Sequence, residues 1–88
     1  MKLQLRSPDK IIFEKDEVLS FSATLLDQRR LTILPGHAPL LAVLPEGTAT
    51  IKDAKAKEVI QIGESILKFR DDQIILYVLA DLVPEKDE

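Results

Sequence analysis

The chain has 88 residues, with 12 Lys and Arg against 15 Asp and Glu, a net charge of −3 and no cysteine. That length holds one small domain and not two, and the absence of cysteine excludes disulfides, thiolate nucleophiles and cysteine-ligated zinc. The mild acidity, with no basic cluster beyond Arg29-Arg30, argues against nucleic acid, because phosphate contacts need a concentrated basic face.

Lys2-Leu3-Gln4-Leu5-Arg6 alternates apolar and polar residues, as a strand with one buried face does. This opening lacks the apolar core of a signal peptide, and no later run approaches the roughly 20 apolar residues that cross a membrane as a helix. Ser7-Pro8-Asp9-Lys10 is a turn signal. Ile11-Ile12-Phe13 restarts a strand, and the polar stretch from Glu14 to Glu17 reads as a second turn. Val18, Leu19, Phe21, Ala23 and Leu25 form an alternating run that resumes at Leu31-Thr32-Ile33 after Asp27-Gln28-Arg29-Arg30. This is a hairpin with a charged tip.

Leu40 to Leu44 is aliphatic, and Pro45-Glu46-Gly47 turns the chain again. Thr48 to Lys52 and Glu58 to Ile62 flank the connector Asp53-Ala54-Lys55-Ala56-Lys57. Helical propensity is present there, but the segment is too short to stand alone as a helix. Ile66 to Phe69 and Ile74 to Leu79 are the last strands, and Pro84 to Glu88 is a charged tail. About eight to ten short strands, at intervals of about 8–12 residues with turn chemistry between them, predict an all-β fold, a sandwich or barrel. The division expected is a domain over residues 1–82 and a tail over 83–88.

The most unusual stretch is Ile33-Leu34-Pro35-Gly36-His37-Ala38-Pro39-Leu40-Leu41. Its prolines fix φ and remove backbone donors, while Gly36 opens conformations closed to other residues. It also holds the only histidine of the chain. A general-base role for His37 would need a partner nucleophile, and none sits in a recognisable motif. One histidine and scattered carboxylates supply no metal site, and no glycine-rich phosphate loop is present. The expectation is no catalytic, metal or cofactor residue, and a structural or contact role for His37.

Taken together, these residues resemble the N-terminal β-sandwich domain of the epsilon subunit of F-type ATP synthases. Ile33 to Leu41 is similar to the I-L-P-G-H-A-P-L-L signature of that family. Ser7 to Glu14 is similar to its opening T-P-E-x-x-x-F-E, Leu44-Pro45-Glu46-Gly47 to its L-K-P-G, and Val78-Leu79-Ala80-Asp81 to its V-L-A-D. The resemblance covers residues 1–82 and implies a small flattened β-sandwich. Family members continue into an α-helical hairpin, whereas this sequence ends at Glu88. The hairpin tip also departs from the family, with two arginines where glycine and a carboxylate are usual.

The resemblance implies a non-catalytic rotor subunit, monomeric when isolated and joining the gamma subunit to the membrane c-ring. It would lie at the cytoplasmic face of a bacterial plasma membrane, or on an equivalent energy-transducing membrane, peripheral through the complex, and lack the hairpin's braking and ATP sensing. It assigns gamma contact to Pro35, Gly36, His37, Ala38, Pro39, Leu41 and Ala42. It assigns c-ring contact to Asp27, Gln28, Arg29, Arg30 and Leu31. The Asp-x-x-Arg-Ala motif with which some epsilon subunits bind ATP is not matched, because Leu31 stands where alanine belongs and the segment is a hairpin tip. The aliphatics Ile33, Leu34, Pro39, Leu40, Leu41, Val43 and Leu44 are dense enough to divide between core and an exposed interface. Two other readings stand beside this one: a free-standing β-sandwich adaptor using the same loop, and a small hydrolase using His37.

Overall fold

The computed structural model describes residues 1–79. Among these residues the period-two pattern of the sequence becomes nine strands. They are β1 (Lys2–Arg6), β2 (Ile11–Lys15), β3 (Ser20–Thr24), β4 (Arg30–Ile33), β5 (Leu40–Leu44), β6 (Gly47–Lys52), β7 (Lys57–Ile62), β8 (Ser65–Arg70) and β9 (Gln73–Val78). One sheet has the order β2-β1-β9-β8-β5 and the other β4-β3-β6-β7. Every pairing is antiparallel except β1 with β9, which run parallel.

Successive side chains of a strand point to opposite faces, so each sheet buries alternate residues. The first contributes Leu3, Leu5, Leu67, Phe69, Ile74 and Leu76, and the second Phe21, Ala23, Ile33, Ala49, Ile51 and Ile62. These form a single cluster. Each fully buried Leu, Ile or Phe contributes roughly 1.5–3 kcal/mol, and this shared layer binds the sheets together. Among the described residues there is no helix, and the all-β sandwich expected from the sequence is observed.

Two local expectations are corrected. Glu14 and Lys15 belong to β2 rather than to a turn. The Glu14 carboxylate accepts a hydrogen bond from the Gln4 amide at 2.8 Å, and Lys15 reaches the opposite sheet to pair with Asp53 at 3.1 Å and Glu58 at 3.8 Å. Charged residues are thus held in extended chain by cross-strand partners. The turn shrinks to Asp16-Glu17, with Glu17 at φ 57°. The connector after Lys52 is a hairpin loop, as the sequence reads it, but one residue shorter: Asp53 Oδ1 accepts the N–H groups of Lys55 and Ala56, each at 2.8 Å, and Lys57 already opens β7. Ala80, Asp81 and the 83–88 tail lie outside the described residues.

Candidate protein-interaction surfaces

β4 is an edge of the second sheet and β5 an edge of the first. The signature segment is the crossover between them. His37 N–H donates to Leu34 C=O at 3.0 Å, closing a four-residue turn with Pro35 and Gly36 at its centre. Gly36 has φ +85°. Proline second and a left-handed glycine third define a type II turn. Gly36 N–H also donates to Asp72 Oδ1 at 3.3 Å, so the β8–β9 turn braces the loop. That turn is the two-residue Asp71-Asp72, with φ values of 53° and 59°, the left-handed pair that matches strand twist.

The His37 ring meets Phe69 edge to face, with centroids 5.9 Å apart and planes at 87°. Its Nδ1 lies 2.7 Å from Ala38 C=O. A carbonyl only accepts, so Nδ1 carries the proton, and that nitrogen is committed to the backbone. The histidine therefore staples the loop to the core through Phe69, which is buried. Among the described residues no three metal-capable side chains converge.

Pro35, Gly36, His37, Ala38 and Pro39 are all exposed, as is Leu41 at 71%. Ala42 is half-buried and, by alternation along β5, faces away from Leu41. The dense aliphatics divide: Ile33 and Leu44 are fully buried, Leu40 is half-buried, and Leu34, Leu41 and Val43 are exposed.

The charged tip closes at the other end of the β3–β4 hairpin. Gln28 N–H donates to Leu25 C=O at 3.0 Å and Leu25 N–H to Arg29 C=O at 2.7 Å. Gln28 adopts φ 74° where a glycine would be easier. Asp27 accepts Arg29 N–H at 3.2 Å and Arg29 Nε at 2.6 Å. These bonds, the backbone one first, hold the Asp27 carboxyl below the usual carboxylate range. Arg29 is thus spoken for, and Arg30, at the start of β4, is the tip's cation without an ion pair among the described residues. Beside the tip a cleft of about 370 Å³ is lined by Leu25, Gln28, Pro45 and Glu46. β4 separates the tip from the signature loop, so four residues at about 3.3 Å each put them roughly 13 Å apart. Each set of residues is brought together, and the two sets occupy opposite ends of one hairpin.

Sequence reasoning missed Leu26, 58% exposed at the tip, and Tyr77, 37% exposed on β9. The signal for Tyr77 was present. Ile74 to Leu79 is apolar without alternation, the mark of a strand with both faces apolar.

The family model of the ATP synthase delta/epsilon chain β-sandwich domain matches residues 1–83. The chain is 30% identical over 81 residues to the ATP synthase epsilon chain of Anoxybacillus flavithermus, covering 91% of this chain and 58% of that one. Against the epsilon chain of Bacillus velezensis it is 31% identical over 81 residues, 91% of this chain and 59% of that one. Against that of Streptomyces griseus it is 28% identical over 89 aligned positions, with shares of 99% and 70%. The chain thus spans under two thirds of the length of the Anoxybacillus and Bacillus relatives. Among solved structures, a chain of the Tetrahymena thermophila mitochondrial ATP synthase central stalk and c-ring superposes with TM-score 0.69 at 19% identity, covering 90% of this chain and 63% of that chain. A chain of the Euglena gracilis mitochondrial ATP synthase OSCP/F1/c-ring assembly gives 0.76 at 16% identity, with shares of 89% and 49%. At these identities the two superpositions establish the fold.

Proposed function

The chain belongs to the ATP synthase delta/epsilon β-sandwich family, and from that membership we propose that it is a non-catalytic rotor subunit of the central stalk. In this reading it links the gamma subunit to the c-ring and passes torque between ion flow and nucleotide chemistry. The observation that carries the proposal is the family match across 1–83, with the signature loop exposed as a braced type II turn.

The geometry suits such a coupling. A torque coupler needs a rigid body with two separate contact surfaces. The sandwich core supplies the body, and the two ends of the β3–β4 hairpin supply the surfaces. Gamma contact is assigned to Pro35, Gly36, His37, Ala38, Pro39 and Leu41. Ala42 supports β5 from its inner side. The c-ring contact is assigned to the tip from Asp27 to Leu31, with Arg30 the residue placed to meet a carboxylate or carbonyl. Because Pro35 and Pro39 stiffen the loop before it docks, little conformational entropy is lost on binding. The position at the membrane follows through the complex, on its cytoplasmic face.

The test is reconstitution. The 88-residue chain should bind purified gamma at micromolar concentration. It should also restore ATP-driven ion pumping to synthase vesicles stripped of their own epsilon. Added to the catalytic subcomplex, these residues should suppress ATP hydrolysis far less than a full-length epsilon with its helical hairpin. Failure to bind gamma would overturn the rotor reading and leave the free-standing adaptor in its place.

A further inference from the structure

Strand register decides which charges of a sheet meet. β6 and β7 pair so that Lys52 stands directly opposite Lys57. β3 lies on the other side of β6 and sets Ser20 opposite Lys52. Phe21 and Ile51, the chain neighbours of Ser20 and Lys52, are buried, so alternation turns Ser20, Lys52 and Lys57 to the outer face of the second sheet. The three form one row across β3, β6 and β7, roughly 10 Å from end to end at about 4.8 Å per strand.

Like charges directly opposite each other destabilise a sheet, and nothing nearby offsets this pair. Each lysine has a carboxylate next to it in the sequence, Asp53 after Lys52 and Glu58 after Lys57. Both are engaged elsewhere. Glu58 stands opposite buried Ile51, on the inner side, and Lys15 of the first sheet holds Asp53 at 3.1 Å and Glu58 at 3.8 Å. Asp53 also accepts two N–H groups of its own loop. Lys52 and Lys57 are exposed and make no ion pair among the described residues. The rest of the face supplies no partner either. The outward positions of β3, β4, β6 and β7 hold hydroxyls, Val59, Gln61 and a third cation, Arg30, and no carboxylate.

A charge on β7 has an ordinary use, since β7 is a sheet edge and charge blunts an edge. A glutamate at position 57 would blunt it equally and pair with Lys52 as well. The lysine forgoes that pair. It creates instead two ammonium groups side by side next to a hydroxyl. That is a donor set for a phosphate, with two cations for its charge and a hydroxyl proton for a further oxygen. The row sits at the start of β3, four residues or roughly 13 Å from the end that carries the charged tip.

We propose that Ser20, Lys52 and Lys57 bind the phosphate group of a dissolved phosphate ester or polyphosphate. The phosphate bridges the two ammonium groups and accepts from the Ser20 hydroxyl. The site stands independently of the rotor reading. Only the choice of a dissolved ligand over a lipid headgroup rests on it, because that reading turns the tip toward the membrane and the row away.

The probe is inorganic pyrophosphate, titrated at pH 7 and constant ionic strength into the full chain and followed by amide NMR shifts. The shifts should concentrate at Ser20, Lys52 and Lys57 and saturate at submillimolar concentration. Lys57→Glu should raise the melting temperature of the free protein by about 4 °C, as repulsion becomes attraction. The same variant should weaken pyrophosphate binding by more than about tenfold. Ser20→Ala leaves both charges in place and should weaken binding about threefold without that gain in stability. Lys68→Glu makes the same change of net charge on an exposed position of β8, in the first sheet, and should leave affinity unchanged. The inference is overturned by a titration without saturation, or by shifts centred on Arg29 and Arg30. Undiminished affinity in Lys57→Glu or Ser20→Ala, an equal loss in Lys68→Glu, or a Lys57→Glu variant no more stable than its parent also overturns it. So does retention on phosphatidylglycerol vesicles through Lys57 with no response to pyrophosphate, which makes a headgroup the ligand. None of these measurements involves gamma, so each outcome leaves the rotor reading where its own test puts it.

Discussion

Gly36 and Gln28 set the same conformational demand on two different residues. Gly36, at φ +85°, meets nothing within 4 Å where a Cβ would stand. Gly36→Ala therefore tests backbone strain without a clash, and it should destabilise the domain by roughly 1 kcal/mol. Gln28 holds φ 74° at the tip with a side chain attached, so Gln28→Gly should be neutral or slightly stabilising, as relief of strain offsets the added freedom of the unfolded chain. Denaturant melts of the two variants check the pair. Equal losses in both would mean that left-handed strain is not what distinguishes these turns. His37 shows the same dependence on context. A single histidine in the sequence is open to catalysis, binding or structure, and its neighbours decide: one ring nitrogen is tied to Ala38 and one ring edge to Phe69.

At the scale of the element, strand existence was legible because one-sided burial writes itself as alternation, in Lys2 to Arg6 and in Ser20 to Thr24 alike. The placement of the signature loop between two strands was legible from its prolines and glycine. Strand order was not. The parallel pairing of β1 with β9 joins residues some seventy positions apart, and nothing local encodes it. Nor was Asp72 legible as a brace for Gly36, since that contact exists only once the β8–β9 turn has met the crossover. The boundary of β2 was misplaced because Glu14 and Lys15 look like turn residues until their partners on β1 and across the sandwich are known. The partner of Lys15 yields a prediction. Asp53 accepts the N–H groups of Lys55 and Ala56 and then the Lys15 ammonium, and its carboxyl is held down to about 2 from an ordinary 3.8. A depressed folded-state value means that the charged form is favoured by folding, so its contribution is complete above about pH 4 and disappears as pH falls toward 2. Asp53→Asn keeps the acceptor oxygen and removes the charge. Thermal melts should show the variant less stable than the parent above pH 4 and the two converging as pH approaches 2. Parallel curves across that range would show that the charge of Asp53 contributes nothing to the fold.

For the whole molecule, the question is whether the sandwich acts as one stiff body between its contacts. Close-packed interiors deform little, and the buried layer runs without interruption from Leu3 to Leu76 through both sheets. Arg30, at the charged tip, and Leu41, on the outer face of β5, lie on different sheets with all of β4 and the crossover between them. Residues that far apart and without shared partners behave independently, their effects adding within about 0.5 kcal/mol. Arg30→Glu should therefore impair ion pumping by the reconstituted complex while leaving affinity for isolated gamma unchanged. Leu41→Ser should weaken gamma binding by about tenfold, the order of one buried aliphatic anchor lost from an interface. In the double variant gamma affinity should match that of Leu41→Ser alone, read by titration against immobilised gamma. If Arg30→Glu changes gamma affinity, or changes it only when Leu41 is also replaced, then the tip and the β5 face are coupled through a deformable body. A body that yields in this way would dissipate torque rather than transmit it, and the structural basis of the proposed rotor role would have to lie elsewhere than in the stiffness of the sandwich.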